Sequence, residues 1–364
     1  MTTPDPIKRA DRTSLVAWLR GRIRDLRPIR LVPFRGYATA NGAQILLRAL
    51  RDPQLPPAEA DDSVWENLLA TFHRFESDEV RGLPIRAEWS GLQAEGVTDE
   101  EGYLWLNFPL PAMMDAGAVA GWQSVAISSG IATIEPVVGQ ILVPPAGQFG
   151  VISDIDDTVI EAGVANPLQL VKHMLLDNSH TRLPFPGVAA FYRALQVGVS
   201  GQEQHPFFYV SGSPWNFYEL LHEIFERHGV PFGPLLLRRL EEEMVRPALR
   251  GRSSLRGHKL DQVTEIMRHF PDRQFILIGD SSQLDPEIYA EVLRELPGRV
   301  AMIYIRDVTG DQRDQEVLAL AEQIAAQGGA LCYAADSLAM ARDAAARGLI
   351  ATEALASVEQ EQHA

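Results

Sequence analysis

The chain has 364 residues, of which 46% are hydrophobic, and its 33 basic and 48 acidic side chains give a net charge of −15. This length predicts two domains, and the hydrophobic fraction is typical of globular proteins with a buried core. The acidic balance argues against a general nucleic-acid binder, and it predicts repulsion from anionic membranes unless a local basic patch makes the contact.

Cysteine use and the absence of targeting signals indicate a compartment. Cys332 is the only cysteine, so no internal disulfide can form, and a reducing environment fits this composition. No apolar run reaches the roughly 18 residues that a membrane span needs. The segment from Met1 to Asp11 lacks the apolar stretch of a secretory signal. The sequence therefore predicts a cytoplasmic protein, with peripheral membrane contact as an open possibility.

Residues 1–29 form the first predicted segment, a basic amphipathic helix. Apolar residues recur at helical spacing, including Leu15, Leu19 and Ile23, and arginines dominate the other positions. Such a helix can lie on a membrane surface. The preferred alternative is a helix that packs on its own domain and exposes its basic face to solvent.

Residues 30–147 are predicted to form a β-rich, sandwich-like domain. Short apolar stretches alternate with glycine and proline turns, and Asn41-Gly42 is a strong hairpin signal. A helix or a long excursion is predicted over Ser63 to Phe75. The stretch contains no catalytic constellation, and Pro144 to Gly147 reads as a linker.

Residues 148–350 alternate between strand and helix, which predicts an α/β fold with a parallel sheet and helices on both faces. Ser213 and Asp285 are each predicted to cap a helix that has proline at its first position. Residues 351–364 are predicted to be a frayed polar tail. The predicted strands are short apolar runs, as expected for strands buried on both faces: Gly150–Ser153, Pro206–Val210, Gln274–Ile278, Val300–Ile305 and the strand-like Ala330–Tyr333.

Acidic residues follow the first of these strands. Asp154 and Asp156 stand at its carboxyl end, where open α/β sheets bind their ligands. Two carboxylates so close repel one another unless a cation lies between them, and carboxylate oxygens suit Mg²⁺. Asp154 is then a candidate nucleophile. The alternative, an acidic loop that caps the next helix, is equally compatible with this stretch alone.

Three further positions offer groups to the same edge of the sheet. Ser211 and the backbone N–H groups after it suit a phosphate, although a plain turn is the alternative. Lys259 can bridge a phosphate and a carboxylate, or it can be an ordinary surface charge. Asp280 can complete a metal shell, and Asp285 can cap its helix or orient a metal-bound water.

Together and in this order, these motifs resemble those of the haloacid dehalogenase-like superfamily, and most closely the APP1 family, the phosphatidate phosphatase APP1 catalytic domain. The resemblance covers about Gln148 to Arg306. The residues that carry it are Ser153-Asp154-Ile155-Asp156-Asp157-Thr158, Phe185-Pro186-Gly187-Val188, Tyr209-Val210-Ser211-Gly212-Ser213-Pro214-Trp215-Asn216, His258-Lys259 and Gly279-Asp280-Ser281-Ser282-Gln283-Leu284-Asp285-Pro286-Glu287-Ile288-Tyr289.

The resemblance implies a haloacid dehalogenase-like, Mg²⁺-dependent phosphomonoesterase. It implies that Asp154 forms an aspartyl-phosphate and that Asp156 acts as the general acid and base. It further implies that Asp154, Asp280 and the Asp156 backbone carbonyl hold Mg²⁺, while Ser211 and Lys259 bind the phosphoryl oxygens. Thr158 is expected to orient the loop, and Asp157 has no assigned role.

The expected substrate is phosphatidate or a related lipid phosphate. Residues 159–183 leave room only for a small cap, here a helix over Leu168 to Leu176, and an open crevice suits a bulky phosphate. Arginines between Arg238 and Lys259 can face anionic head groups, or they can be ordinary solvated charge. Two alternatives stay open: a phosphatase of a soluble phosphoester or phosphoprotein, and a non-catalytic phospholipid-binding module.

Overall fold

The computed structural model describes residues 27–52, 79–109, 119–160, 184–239, 252–310 and 313–363. The chain divides into two compact units, Met1–Val143 and Pro144–Ala364. Most of the predicted basic helix lies outside the described residues, as do the helix or excursion predicted over Ser63 to Phe75 and the helix predicted over Leu168 to Leu176. Among the described helices, none combines the length and the apolar character that crossing a bilayer requires.

The first unit is a single eight-stranded sheet. Its strands are β1 (Ile29–Pro33), β2 (Gly36–Thr39), β3 (Gly42–Arg51), β4 (Pro84–Trp89), β5 (Leu92–Val97), β6 (Tyr103–Pro109), β7 (Gly121–Ser128) and β8 (Val137–Val143). The predicted hairpin at Asn41-Gly42 is confirmed, since β2 and β3 pair antiparallel with Thr39 opposite Gly42. Burial alternates along β4 and β6, so one face of the sheet carries the core.

The sheet curls into a half-barrel instead of forming the predicted sandwich. The strand order is β1-β3-β2-β8-β7-β4-β5, and β6 lies outside this path and pairs antiparallel with β3. β5, at one end of this path, lies against β6, because a Cβ on Gly96 of β5 would lie 2.7 Å from the Leu104 side chain of β6. The apolar faces therefore enclose one core, around Ile45, Trp89 and Phe108, within one sheet.

The second unit is built on a six-stranded sheet. Its strands are β9 (Phe149–Ser153), β10 (Phe207–Pro214), β11 (Leu235–Arg238), β12 (Gln274–Asp280), β13 (Val300–Arg306) and β14 (Leu331–Ala334). All neighbouring strands pair parallel, in the order β11-β10-β9-β12-β13-β14. The predicted parallel sheet is confirmed, and its inner strands are almost entirely buried, as their unbroken apolar runs required.

Helices follow the strands, as the alternating pattern predicted. They are α1 (Val188–Val197), α2 (Tyr218–His228), α3 (Arg252–His269), α4 (Asp285–Glu295), α5 (Asp314–Ala326), α6 (Ser337–Ala346) and α7 (Leu355–Gln362), with short 3₁₀ turns at Trp215–Phe217 and Thr352–Ala354. Amphipathic faces bury against the sheet, as in α2, where Leu221, Ile224 and Phe225 are buried.

Three local predictions are wrong. Ser213 does not cap a helix, because β10 continues to Pro214 and α2 begins only at Tyr218. Asp285 does not cap α4, because it is the first helical residue and follows Leu284 at the cap position. The expected frayed tail is largely helical: Glu361 of α7 accepts hydrogen bonds from the Ala190 backbone N–H and the Arg193 guanidinium of α1.

Candidate active site

The carboxyl ends of β9, β10 and β12 supply most of the polar side chains of the site. These three strands are neighbours in the order β10-β9-β12, and all run in the same direction. Asp154 and Asp156 follow β9, Ser211 lies near the end of β10, and Asp280 ends β12. Parallel strands bring their carboxyl ends to one edge of the sheet, so residues far apart in sequence meet there.

A tight turn after β9 presents the two aspartates. The carbonyl of Ile155 accepts hydrogen bonds from the N–H groups of Val159 and Ile160 at 2.9 and 3.0 Å. Asp157 adopts a left-handed conformation with φ of 58°, which an aspartate tolerates better than most residues. The turn folds the chain back on itself and leaves the side chains of Asp154 and Asp156 at the sheet edge.

Arg306, at the end of β13, holds this turn through its side chain. Its Nε donates to the Thr158 carbonyl at 3.2 Å, and its Nη2 donates to Ser337 Oγ at 2.9 Å. The guanidinium also lies over the Phe185 ring, 4.2 Å from its centroid. Arg306 is buried, so these contacts hold the turn in a fixed position.

Lys259, on α3, lies between two buried carboxylates. Its Nζ donates to Asp154 Oδ1 at 2.8 Å and also contacts Asp285 Oδ1. Burial alone lowers the pKa of Lys259, but the attraction of Asp154 and Asp285 outweighs it and raises the pKa above its ordinary value. Burial raises the pKa of Asp154, and the charge of Lys259 opposes that shift. Lys259 is therefore an internal counter-charge and not the surface charge of the alternative interpretation.

Asp156 is held by two hydroxyl groups of β10. Ser211 Oγ donates to Asp156 Oδ2 at 2.7 Å, and Ser213 Oγ donates to the same oxygen at 3.1 Å. Burial raises the pKa of Asp156, while the hydrogen bonds from Ser211 and Ser213 lower it in part. The net shift is upward, which favours a carboxyl group that can carry a proton nearer neutral pH.

Asp280 has one satisfied oxygen and one unsatisfied oxygen. Its Oδ1 accepts hydrogen bonds from the backbone N–H groups of Ser282 and Gln283 at 2.6 and 3.1 Å. Its Oδ2 is buried and has no hydrogen-bond partner among the residues that the structure describes. Burial and the neighbouring Asp285 raise the pKa of Asp280 to about 7.

The carboxylates of Asp154, Asp280 and Asp285 form a cluster suited to a divalent cation. One oxygen from each lies within 4.8 Å of the others. Gly279 allows Asp285 to approach, since a Cβ there would lie 2.3 Å from Asp285 Oδ2. An orphaned buried carboxylate oxygen and an all-oxygen donor set are what a hard cation such as Mg²⁺ requires.

All five predicted site residues come together, with one rearrangement. Asp154, Asp156, Ser211, Lys259 and Asp280 are linked by direct contacts or through a shared neighbour. The Asp156 carboxylate, however, points to the serines, so the third acid of the cluster is Asp285. The Asp156 backbone carbonyl faces the cluster side and accepts a hydrogen bond from Gln283 Nε2 at 3.2 Å.

Sequence reasoning missed Ser213, Gln283 and Arg313 as contributors to the site. Gln283 Nε2 lies 3.4 Å from Asp154 Oδ2. Arg313 Nη1 donates to the carbonyls of Ser281 and Gln283 at 2.9 and 2.6 Å, so it clamps the loop after β12. Gln283 stands inside a recognised motif and could have been noticed there, whereas nothing in the sequence around Arg313 points to this contact.

Comparisons with known proteins agree with this arrangement. Residues 149–307 match the family model described as phosphatidate phosphatase APP1, catalytic domain. The chain is 30% identical over 172 residues to phosphatidate phosphatase APP1 of Saccharomyces cerevisiae, a match that covers 47% of this chain and 28% of that protein. It is 28% identical over 268 residues to an uncharacterized protein of Schizosaccharomyces pombe, covering 70% of this chain and 42% of that protein.

The chain thus spans less than half the length of either curated relative. A comparison with solved structures gives a carbohydrate acetylesterase from Xanthomonas citri, with a TM-score of 0.27 and 10% identity over 90% of this chain and 71% of that one. A similarity this low carries no argument about fold or chemistry.

Proposed function

Because residues 149–307 form a catalytic domain of the APP1 family, we propose that this chain is a Mg²⁺-dependent phosphatase that hydrolyses phosphatidate or a related lipid phosphate through an aspartyl-phosphate on Asp154. The proposal places the domain in the haloacid dehalogenase-like superfamily. It is supported above all by one observation, the buried contact between Asp154 and Lys259 beside the orphaned oxygen of Asp280.

The residues present fit a divalent cation. Asp154, Asp280 and the Asp156 backbone carbonyl would hold it, with Asp285 as the further acid of the cluster. When bound, Mg²⁺ would neutralise charge on the phosphoryl group and on the clustered carboxylates. Hard oxygen donors, and a buried Asp280 oxygen that has no partner among the described residues, support this assignment.

The side chains of the chain itself account for the phosphoryl transfer. A carboxylate oxygen of Asp154 forms a bond to phosphorus as the bond from phosphorus to the ester oxygen breaks. Asp156 gives its proton to the departing ester oxygen, which leaves as an alcohol. Lys259 and Ser211 stand beside the two aspartates, where they can neutralise and orient the equatorial phosphoryl oxygens.

In the hydrolysis of the aspartyl-phosphate, Asp156 acts as the base and Asp154 is the leaving group. Asp156 accepts a proton from water as the water oxygen bonds to phosphorus, and the bond between phosphorus and Asp154 breaks. Inorganic phosphate and the Asp154 carboxylate are the products. The raised pKa of Asp156 supports this exchange, because a carboxyl group must be protonated in one step and ionised in the next.

The lipid substrate is supported by the family match and by the curated yeast relative, whose name states phosphatidate phosphatase activity. The segments from which the sequence predicted an open crevice and a basic, lipid-facing stretch lie largely outside the described residues. A phosphatase of a soluble phosphoester or phosphoprotein stays an alternative. A non-catalytic lipid-binding module is the other alternative, and it is disfavoured because every required acid and Lys259 are present.

The test is a phosphate-release panel at saturating Mg²⁺. It compares phosphatidate and lysophosphatidate in mixed micelles with a soluble aryl phosphate and a phosphopeptide. We expect the lipid phosphates to be hydrolysed fastest and Asp154→Asn to abolish release. Asp157→Asn is the matched control, since Asp157 lies in the same turn and asparagine tolerates its left-handed conformation.

Each part of the proposal has its own contrary result. A faster rate on the phosphopeptide or aryl phosphate would overturn the lipid assignment. Full activity of Asp154→Asn would exclude the covalent mechanism. Absence of a hydroxylamine-sensitive phosphoryl group on Asp154 after rapid acid quench would do the same, and no turnover on any substrate would favour the binding module.

A further inference from the structure

Gln283 touches three of the four groups expected to hold the cation. Its backbone N–H donates to Asp280 Oδ1 at 3.1 Å. Its side-chain Nε2 lies 3.4 Å from Asp154 Oδ2 and 3.2 Å from the Asp156 backbone oxygen. The amide nitrogen therefore bridges Asp154 and the Asp156 backbone carbonyl, two groups that would hold the cation together with Asp280.

The charges around Gln283 explain why a neutral donor is useful there. Asp154, Asp280 and Asp285 are buried together, and Lys259 is the basic side chain that contacts two of them. Buried carboxylates without compensation are costly, so the cation-free protein benefits from any donor that meets them. An amide provides two N–H groups without adding charge.

The same contacts work against a bound cation. An N–H group carries a partial positive charge, so a divalent cation bound to Asp154 and the Asp156 carbonyl would repel it. The inference requires that the amide turns away and gives up both contacts when the cation binds. Cation affinity is lowered by whatever these two contacts contribute to the cation-free state.

We propose that the Gln283 side chain is an internal competitor for the divalent cation, which organises Asp154 and Asp156 in the cation-free protein and sets the affinity of the site. This inference rests on the cation site of the proposed function, and it assigns a positioning role to a residue that has none so far. Each lost contact to a carboxylate or carbonyl oxygen corresponds to a change of a few-fold in a binding constant.

The test uses the whole 364-residue chain and Mn²⁺ as the probe, with free Mn²⁺ measured by electron paramagnetic resonance. Gln283→Met keeps the length of the side chain and removes the donors. We expect it to bind Mn²⁺ about three- to tenfold more tightly than the wild type and to lower the melting temperature of the cation-free protein.

Two variants make this comparison decisive. Gln283→Asn keeps an amide but is one methylene shorter, so it should lose both contacts and tighten binding in the same way, even if Gln283→Met folds poorly. Gln274→Met is the matched control at the other end of β12, where the side chain donates to the Gly298 carbonyl at 2.9 Å. It should leave the Mn²⁺ dissociation constant unchanged.

Unchanged or weaker Mn²⁺ binding in both Gln283 variants would overturn the inference, and weaker binding would indicate a ligand and not a competitor. The half-saturating Mg²⁺ concentration for phosphate release should fall by the same factor as the Mn²⁺ dissociation constant. A tighter Mn²⁺ site in a protein that releases no phosphate would sustain the inference and reject the proposed function. Phosphate release by the wild type, lost in the Gln283 variants while their Mn²⁺ dissociation constant is unchanged, would sustain the proposed function and reject the inference.

Discussion

Lys259 illustrates how one residue can be essential to the fold and to the chemistry together. It lies against Asp154 and Asp285 and is itself buried. Two buried carboxylates this close to each other are tolerable only with a positive charge between them or with protons bound. The residue that would neutralise a phosphoryl oxygen is therefore also the residue that lets the acids be buried.

Replacing Lys259 should destabilise the protein as well as inactivate it. Lys259→Met leaves Asp154 and Asp285 without their shared partner, and we expect a loss of about 3–5 kcal/mol in the free energy of unfolding. Urea unfolding in cation-free buffer at pH 7.5 measures this. Arg268→Met is the control, because it breaks an exposed ion pair with Glu295 and should cost under about 1 kcal/mol. Equal, small losses in both variants would contradict the expected role of Lys259.

Asp280 makes the stability of the cation-free protein depend on pH. Its pKa is raised from 3.8 to about 7, so between these values the folded state binds more protons than the unfolded state. Stability must then fall as pH rises through this window. We expect lower stability at pH 7.5 than at pH 5.5 in the presence of a chelator, and a smaller difference in Asp280→Asn. Saturating Mg²⁺ should reverse the trend, since ionised acids bind the cation. A cation-free stability that rises from pH 5.5 to pH 7.5 would be the contrary result.

At the scale of elements, the loop between β12 and α4 carries Gln283 and joins Asp280 to Asp285, and a residue from outside it fixes its shape. Arg313 reaches the carbonyls of Ser281 and Gln283 and also contacts Glu287 of α4. Its Nε meets Glu316 at 3.2 Å within α5. This guanidinium uses several donors at once, which a lysine cannot reproduce.

Removing the Arg313 guanidinium should disturb the loop after β12 more than it destabilises the fold. For Arg313→Ala we expect a loss of about 1–3 kcal/mol in the free energy of unfolding and about tenfold weaker Mn²⁺ binding, because the Asp280 loop is no longer fixed. Arg313→Lys should recover part of the stability but little of the Mn²⁺ affinity. The control Arg347→Ala breaks an exposed pair with Asp343 on α6 and should change neither quantity by much. Normal Mn²⁺ affinity in Arg313→Ala would show that the loop keeps its shape unaided.

The sequence predicted the elements of the second unit better than their ends. Buried strands such as β9 and β12 were evident from unbroken apolar runs, and the acids after them marked the sheet edge. Ser213 and Asp285 were assigned as helix caps because serine and aspartate prefer that position. Tertiary contacts decided otherwise: Ser213 binds Asp156, and Asp285 binds Lys259.

Some features could not be read from local patterns at all. β5 is partly polar and largely exposed along its length, and β11 is only four residues long, so neither gave a clear signal. Arg306 contacts Thr158, which lies 148 residues earlier in the sequence, and local periodicity cannot reveal a contact between residues so far apart in the chain. Whether short strands make one curled sheet or two facing ones depends on which edges pair, and that also lies beyond local pattern.

At the scale of the whole molecule, each unit has its own buried core. Ile45 is fully buried in the half-barrel, and Ile303 is fully buried in the parallel sheet. Large-to-small changes at such positions cost about 2–5 kcal/mol through lost burial and an unfilled cavity. A matched pair of substitutions can therefore address the two units separately.

We expect Ile45→Ala and Ile303→Ala to lower different transitions in differential scanning calorimetry. Mg²⁺ should raise only the transition that Ile303→Ala lowers, because a ligand stabilises the folded unit that binds it. Mn²⁺ affinity should be unchanged in Ile45→Ala. One shared transition, lowered equally by both substitutions, would show that the units unfold together.

The strand order has a practical consequence for dividing the gene. The chain builds β9 to β11 first and then returns past β9 to add β12 to β14, so Asp154, Asp156 and Ser211 come from one half and Lys259, Asp280 and Asp285 from the other. If the chain were divided between Arg239 and Arg252, each of the two polypeptides would hold only part of the site residues. Recovered turnover on co-expression would then report reassembly of the split protein, which makes this unit a candidate complementation sensor.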